Sequence, residues 1–148
     1  MTQKIRIKIL LSIGIALLLS ALLAGCAEKA VSPLWGNAEC ECIQLDEALS
    51  YFDSYTIEDD VVSIKCALRL NNSGEACRVR IKGFFPNDVG KLLTDSPLDG
   101  YPVDSHAEDC VFNIQRGTST VFVVFRGSYA GSPQKADRLL PEIVIEAA

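Results

Sequence analysis

Val61-Val62-Ser63-Ile64-Lys65-Cys66-Ala67-Leu68-Arg69-Leu70 is the stretch whose reading decides the fold. Val62, Ile64, Cys66, Leu68 and Leu70 occupy one phase of a two-residue period, while Val61, Ser63, Lys65, Ala67 and Arg69 occupy the other. Successive side chains of a strand point to opposite faces, so this alternation describes a half-buried antiparallel strand. Asn71-Asn72-Ser73-Gly74 follows with the composition of a turn. Cys77, Val79 and Ile81 then alternate with Arg78, Arg80 and Lys82, giving a second strand toward Phe84 and Phe85.

Toward the C-terminus, residues 86 to 109 are punctuated by Pro86, Gly90, Pro97, Gly100 and Pro102 and read as a long irregular segment. Val89, Leu92 and Leu93 are spaced to pin one helical turn there. Alternation resumes at Cys110, Phe112 and Ile114, and Arg116-Gly117-Thr118 marks a turn. Val121 to Phe125 is apolar at every position, the pattern of a strand covered on both faces. Residues 127 to 138 read as another loop, and Glu142 to Glu146 as a final strand.

Toward the N-terminus the signals change character. Leu45, Ala48, Leu49 and Phe52 fall at helical spacing, although Tyr51-Phe52-Asp53-Ser54-Tyr55-Thr56-Ile57 has strand composition; the spacing favours a short helix or irregular turn. Glu39-Cys40-Glu41-Cys42-Ile43 places both thiols on one face of an extended segment. Residues 26 to 38 carry Pro33 and Gly36 without a sustained period and read as a tether, with Trp35 expected to dock onto the domain. Ahead of them stand Lys4, Arg6 and Lys8 without an acid, then the apolar run Ile9 to Leu23 and the small residues Ala24 and Gly25. A basic start, a short apolar run and small residues at the cut describe a secretory signal rather than a spanning helix.

Leu23-Ala24-Gly25-Cys26 resembles the lipobox of bacterial lipoproteins. That resemblance implies cleavage between Gly25 and Cys26, a diacylglyceryl group on the Cys26 thiol, and anchoring on the extracytoplasmic face of the cell membrane or outer membrane. Two acyl chains suffice for stable anchoring. Ala27 resembles the residues that permit outer-membrane sorting. The chain then divides into a signal peptide (1 to 25), a lipidated tether (26 to 38) and one domain (39 to 148).

The chain has 148 residues and a net charge of −5; without the leader, 11 basic residues face 19 acidic ones, a net charge of −8. That balance repels nucleic acid and anionic headgroups and leaves cationic partners open. Several short strands with turns between them and no βαβ spacing give an all-β domain, an antiparallel sandwich. Val61 to Leu70, Asn71 to Ser73, Val79 to Phe85, Phe112 to Gly117 and Val121 to Tyr129 together resemble the small immunoglobulin-like β-sandwiches of bacterial extracytoplasmic lipoproteins. The resemblance implies a binding or accessory module, and the tryptophan of antibody domains has no counterpart in it.

Residues with chemical potential are few. His106, the sole histidine, lies in a Pro/Gly-rich loop between Ser105 and Glu108, without a nucleophile-elbow pattern. Cys40 and Cys42 suit a soft metal or a redox pair, yet no second Cys/His pair of zinc spacing follows. Glu58-Asp59-Asp60 and Asp95 to Asp104 lack the spacing of a calcium loop and read as solvated turns. No metal or cofactor is therefore expected. Five cysteines remain after lipidation, in a compartment that permits disulfides. Cys66, Cys77 and Cys110 sit in apolar phases and are expected to face the core. A tight hairpin at Asn71 to Gly74 would mismatch Cys66 and Cys77, whereas a crossing to a facing sheet would let inward thiols meet. Two bridges are expected, one from Cys40 or Cys42 to a strand cysteine, leaving one thiol. The leading functional expectation is a lipid-anchored binding or accessory domain without catalysis, presenting residues 86 to 109 and 127 to 138 to an envelope or extracellular protein. The alternatives are a small hydrolase, a thiol-redox protein using Cys40 and Cys42, and a mainly structural surface lipoprotein.

Overall fold

A computed structural model describes residues 33 to 88, 93, 95 to 103, 110 to 131 and 139 to 148. Its elements are β1 (Gly36–Ala38), β2 (Ile43–Glu58), β3 (Val61–Asn72), β4 (Cys77–Phe84), β5 (Leu98–Pro102), β6 (Val111–Ile114), β7 (Gly117–Ser128) and β8 (Glu142–Ala147). The described residues contain strands and no helix and are all-β. The strands form one curled sheet in the order β1-β8-β4-β5-β7-β3-β2, with β6 paired to β4.

The alternating stretch is the centre of one limb of this sheet. β3 pairs antiparallel with β2 on one side and, without a break from Val61↔Ser128 to Asn72↔Gly117, with β7 on the other. Val62, Ile64, Cys66, Leu68 and Leu70 are fully buried, as the period requires. They meet Val79 and Ile81 of β4, Phe112 and Ile114 of β6, Phe125 of β7, and Ile143 and Ile145 of β8 in one core. Each such side chain contributes about 1.5–3 kcal/mol through the apolar surface it removes from water.

The turns explain how the limbs connect. Between β2 and β3, Asp59 and Asp60 have φ of 49° and 62°, and Glu58 pairs with Val61. Two consecutive positive φ values define the two-residue turn that matches strand twist, and aspartate tolerates them better than most side chains. The Asn71 to Gly74 segment makes no hairpin: β3 pairs with β2 and β7, while β4 pairs with β5, β6 and β8, so the chain crosses to the other limb. Residues Gln115 and Arg116 repeat the crossing in reverse between β6 and β7, where Gly117 has φ 98°. β5 belongs to both limbs, pairing Lys82↔Asp99 with β4 and Gly100↔Phe125 with β7. Only glycine fits at position 100, because an added Cβ would lie 2.5 Å from Val123 Cγ1 and 2.9 Å from the Ile81 carbonyl. The immunoglobulin order places the last two strands side by side, whereas here β8 lies between β1 and β4, away from β7.

Four expectations are corrected. Residues 45 to 52 form no helix but lie inside β2, which carries a bulge between Asp46↔Arg69 and Tyr51↔Ala67. Within the bulge the Leu49 amide donates to Asp46 Oδ1 at 3.1 Å and Ser50 Oγ donates to the Asp46 carbonyl at 2.7 Å. These turn-like spacings of three and four residues imitate helical periodicity over a single turn. The folded part also begins before residue 39: Gly36–Ala38 pairs in parallel with Ile143–Ile145, and Pro33 bridges Tyr51. Trp35 does not dock; it is 66% exposed, and its neighbour Leu34 is the buried anchor at 1%. Finally, Cys110 precedes β6 and is half-buried, as is Cys77, so of the three strand cysteines only Cys66 lies in the core. Val121 to Phe125 is covered on both faces at Val123, Val124 and Phe125 but exposed at Phe122. Val89 and Leu92 lie outside the described residues, while Leu93 is buried and bridges Tyr129.

Candidate functional site

The core phase of β2, β3 and β7 points inward, so register decides what the opposite face displays. One row across that face is Thr56, Ser63 and Arg126; the next is Ser54, Lys65 and Val124, with Tyr101 of β5 beyond. Val103 closes one side, its amide donating to the Phe122 carbonyl at 3.2 Å. Together with Tyr55, these residues line a concavity of about 300 Å³ floored by the buried Val124. Lys65 and Arg126 are diagonal neighbours, a relation that sets their backbones about 7–8 Å apart. Two cations and the hydroxyls of Thr56 and Ser63 line the hollow with no carboxylate among the lining residues, while the third hydroxyl, Ser54 Oγ, donates to Asp53 Oδ2 at 2.9 Å beside it. In a strongly acidic chain this combination favours an anion, which guanidinium and ammonium groups attract and hydroxyls orient.

A second hollow, about 430 Å³, is lined by Phe84, Phe85, Pro86, Ser96, Glu142 and Val144. Its walls are mainly apolar and Glu142 is its only ionisable group, so it lacks convergent polar groups to orient a ligand.

Cys40, Cys42 and Cys77 form a separate cluster. All five described cysteines are free thiols, so the two expected bridges are not formed. Cys40 and Cys42 lie in the turn before β2, where the Ile43 amide donates to the Cys40 carbonyl and the Ser73 amide to the Cys42 carbonyl, both at 2.9 Å. Cys77 opens β4, where the Cys42 and Cys40 thiols lie close enough to perturb its own. Burial, reinforced by the neighbouring thiols, pushes the Cys77 and Cys40 thiols above the usual range. Cys66 is pushed far above it by burial, with the Asp53 charge adding to the effect.

Asn72 holds this region together and is nearly fully buried. Its Nδ2 donates to the Glu75 carbonyl at 2.8 Å and the Ile114 carbonyl at 3.2 Å, and reaches Cys77 Sγ at 3.8 Å; its Oδ1 accepts from the Gly74 amide at 2.9 Å. One side chain thus ties both crossings. Sequence reading assigned Asn72 to a turn; nothing local announces that it also reaches Ile114.

Among the described residues, those others singled out from sequence are not gathered into a site. Gly25, Cys26, Asp104 and His106 lie outside the described residues, as do most of residues 89 to 94 and 132 to 138. Among the described residues, no group of three His, Cys, Asp or Glu side chains is arranged to hold a metal. Glu58, Asp59 and Asp60 form the β2–β3 turn. Arg126 was missed in the sequence because it falls at the end of an apolar run, and only strand register brings it beside Lys65. Comparisons with protein-family models, curated proteins and solved structures found no significant match to this chain.

Proposed function

We propose that this chain is a lipid-anchored binding domain, without catalysis, held on the extracytoplasmic face of a membrane by Cys26, and that it recognises an anionic group of an envelope or extracellular partner in the concavity of β2, β3 and β7. The observation that carries the reading is that Lys65 and Arg126 share with Thr56 and Ser63 a hollow that has no carboxylate among its lining residues. Recognition then resides on a sheet face rather than on the two loops favoured from sequence. A rigid sheet is a sound platform for it, since strand positions hold side chains more precisely than loops do. The basic, apolar and small-residue leader ending at Cys26 supports the anchoring half of the reading. We read the two limbs of the curled sheet as sandwich layers joined by β5, in keeping with the resemblance to lipoprotein sandwich domains, though in a strand order of their own.

Titration of the ¹⁵N-labelled chain with sulfate and with a tetraglutamate peptide tests the binding half. The expected result is saturable shifts at the amides of residues 54 to 56, 63 to 65 and 126, lost in the K65Q/R126Q double variant. Shifts that never saturate, or that survive the double substitution, would remove this site.

A further inference from the structure

Cys42 and Cys77 are 35 positions apart in sequence and sit on different limbs of the sheet, yet three observations converge on their proximity. Cys42 stands close enough to the Cys77 thiol to help raise its pKa. Asn72 Nδ2 lies 3.8 Å from Cys77 Sγ, while the turn that Asn72 organises packs on Cys42: a Cβ added at Gly74 would lie 2.9 Å from Cys42 Cβ and 3.5 Å from its Sγ. The backbones on both sides are fixed, Cys42 by the Ser73 amide on its carbonyl and Cys77 by pairing with Ile114. No flexible linker separates the thiols; each stands on an element held by its own hydrogen bonds.

We propose that Cys42 and Cys77 are a cross-limb dithiol that closes to a disulfide by exchange with a small external disulfide, and that Cys40, Cys66 and Cys110 stay outside this bridge. The Cys42 thiolate attacks one sulfur of the oxidant, releasing one small thiolate and leaving a mixed disulfide on Cys42. Cys77, its proton lost to solvent, attacks the Cys42 sulfur and expels the second small thiolate. Two protein thiols and one external disulfide give one protein disulfide and two external thiols; the two electrons pass to the oxidant and the two protons end on its thiols. The bridge closes the loop that contains the β3–β4 crossing and links the β2 edge of one limb to β4 of the other. Cys66 is excluded by its position in the core and Cys110 by its place ahead of β6. Cys40 is the real competitor, because its sulfur is close enough to perturb Cys77.

The chemistry rests on the extracytoplasmic reading only for its setting, since the oxidant in the test is added by hand. The full-length chain, purified reduced in detergent, is incubated with oxidised glutathione at mildly alkaline pH, free thiols are alkylated, and peptides are mapped without reduction. The expected product has lost two hydrogens and yields a single Cys42–Cys77 linked peptide pair, with Cys40 alkylated. C40S should give the same pair, and C42S should instead leave Cys77 unbridged. A Cys40–Cys42 or Cys40–Cys77 pair as the main product, or a persistent glutathione adduct on Cys42 with Cys77 alkylated, overturns the assignment. Neither result depends on whether the concavity binds anions.

Discussion

Replacing Asn72 with alanine should cost more than any other polar substitution among the described residues, and the magnitude follows from its bonds. The change removes donors to the Glu75 and Ile114 carbonyls and the acceptor of the Gly74 amide. Three hydrogen bonds at about 1 kcal/mol each give about 3 kcal/mol. The Ile114 carbonyl is paired in a buried bond, so its desolvated oxygen raises the loss to about 4 kcal/mol if no water replaces Nδ2. For a domain of this size that loss corresponds to a fall in Tm of roughly 10–20 °C. Urea unfolding followed by far-UV circular dichroism measures it, with an unchanged slope as the sign that only stability moved. N72D is the comparator: it retains an acceptor for Gly74 but sets a carboxylate against two carbonyl oxygens. Its loss at pH 7 should equal or exceed that of N72A and should shrink in acid, where protonation restores a donor. If N72A unfolds within about 0.5 kcal/mol of the unsubstituted chain, Asn72 does not tie the crossings.

Two further outcomes follow from burial. Leu34→Ala should cost about 2–5 kcal/mol and Trp35→Ala less than about 0.5 kcal/mol, although tryptophan is the larger residue, because Leu34 is 1% exposed and Trp35 66%; equal losses in chemical unfolding would show that the N-terminal segment packs differently. The buried Cys66 thiol stays protonated in the folded chain at pH values where an unfolded thiol ionises. Its contribution is therefore complete below the unfolded value of about 8.5 and is lost as pH rises through the raised folded value, at about 1.4 kcal/mol per pH unit. Cys66→Ala should flatten the stability profile between pH 8.5 and 10; a profile as steep as before would place the alkaline loss elsewhere.

What could be read from the chain was what period and turn chemistry encode locally. The two-residue period at Val62 to Leu70 and at Val79 and Ile81 gave strands with the correct buried faces, because alternation is a property of each strand alone. Lys65 could be placed on the outer face for the same reason, but not beside Arg126, since the pairing of β3 with β7 joins residues about sixty positions apart. The bulge at Glu47 to Ser50 misled because one local turn has the spacing of a helix, and only the Arg69 amide bonded to Ser50 Oγ at 2.9 Å reveals the strand. Trp35 was expected to dock, yet it is exposed while Leu34, to which the sequence reading gave no role, is buried; the bridge of Pro33 to Tyr51 and the parallel pairing of β1 with β8 decide which side chain turns inward. Cys77 and Cys110 followed the apolar phase in sequence, yet Cys77 opens β4 and Cys110 precedes β6, and both are only half-buried.

The most direct test of the account is the mass of the N-terminal peptide of the protein isolated from its host membranes. The account requires a chain that begins at Cys26, with a diacylglyceryl group on the thiol, and that C26A no longer yields. A peptide that begins at Met1 or Thr2, or one containing an unmodified Cys26, would contradict it.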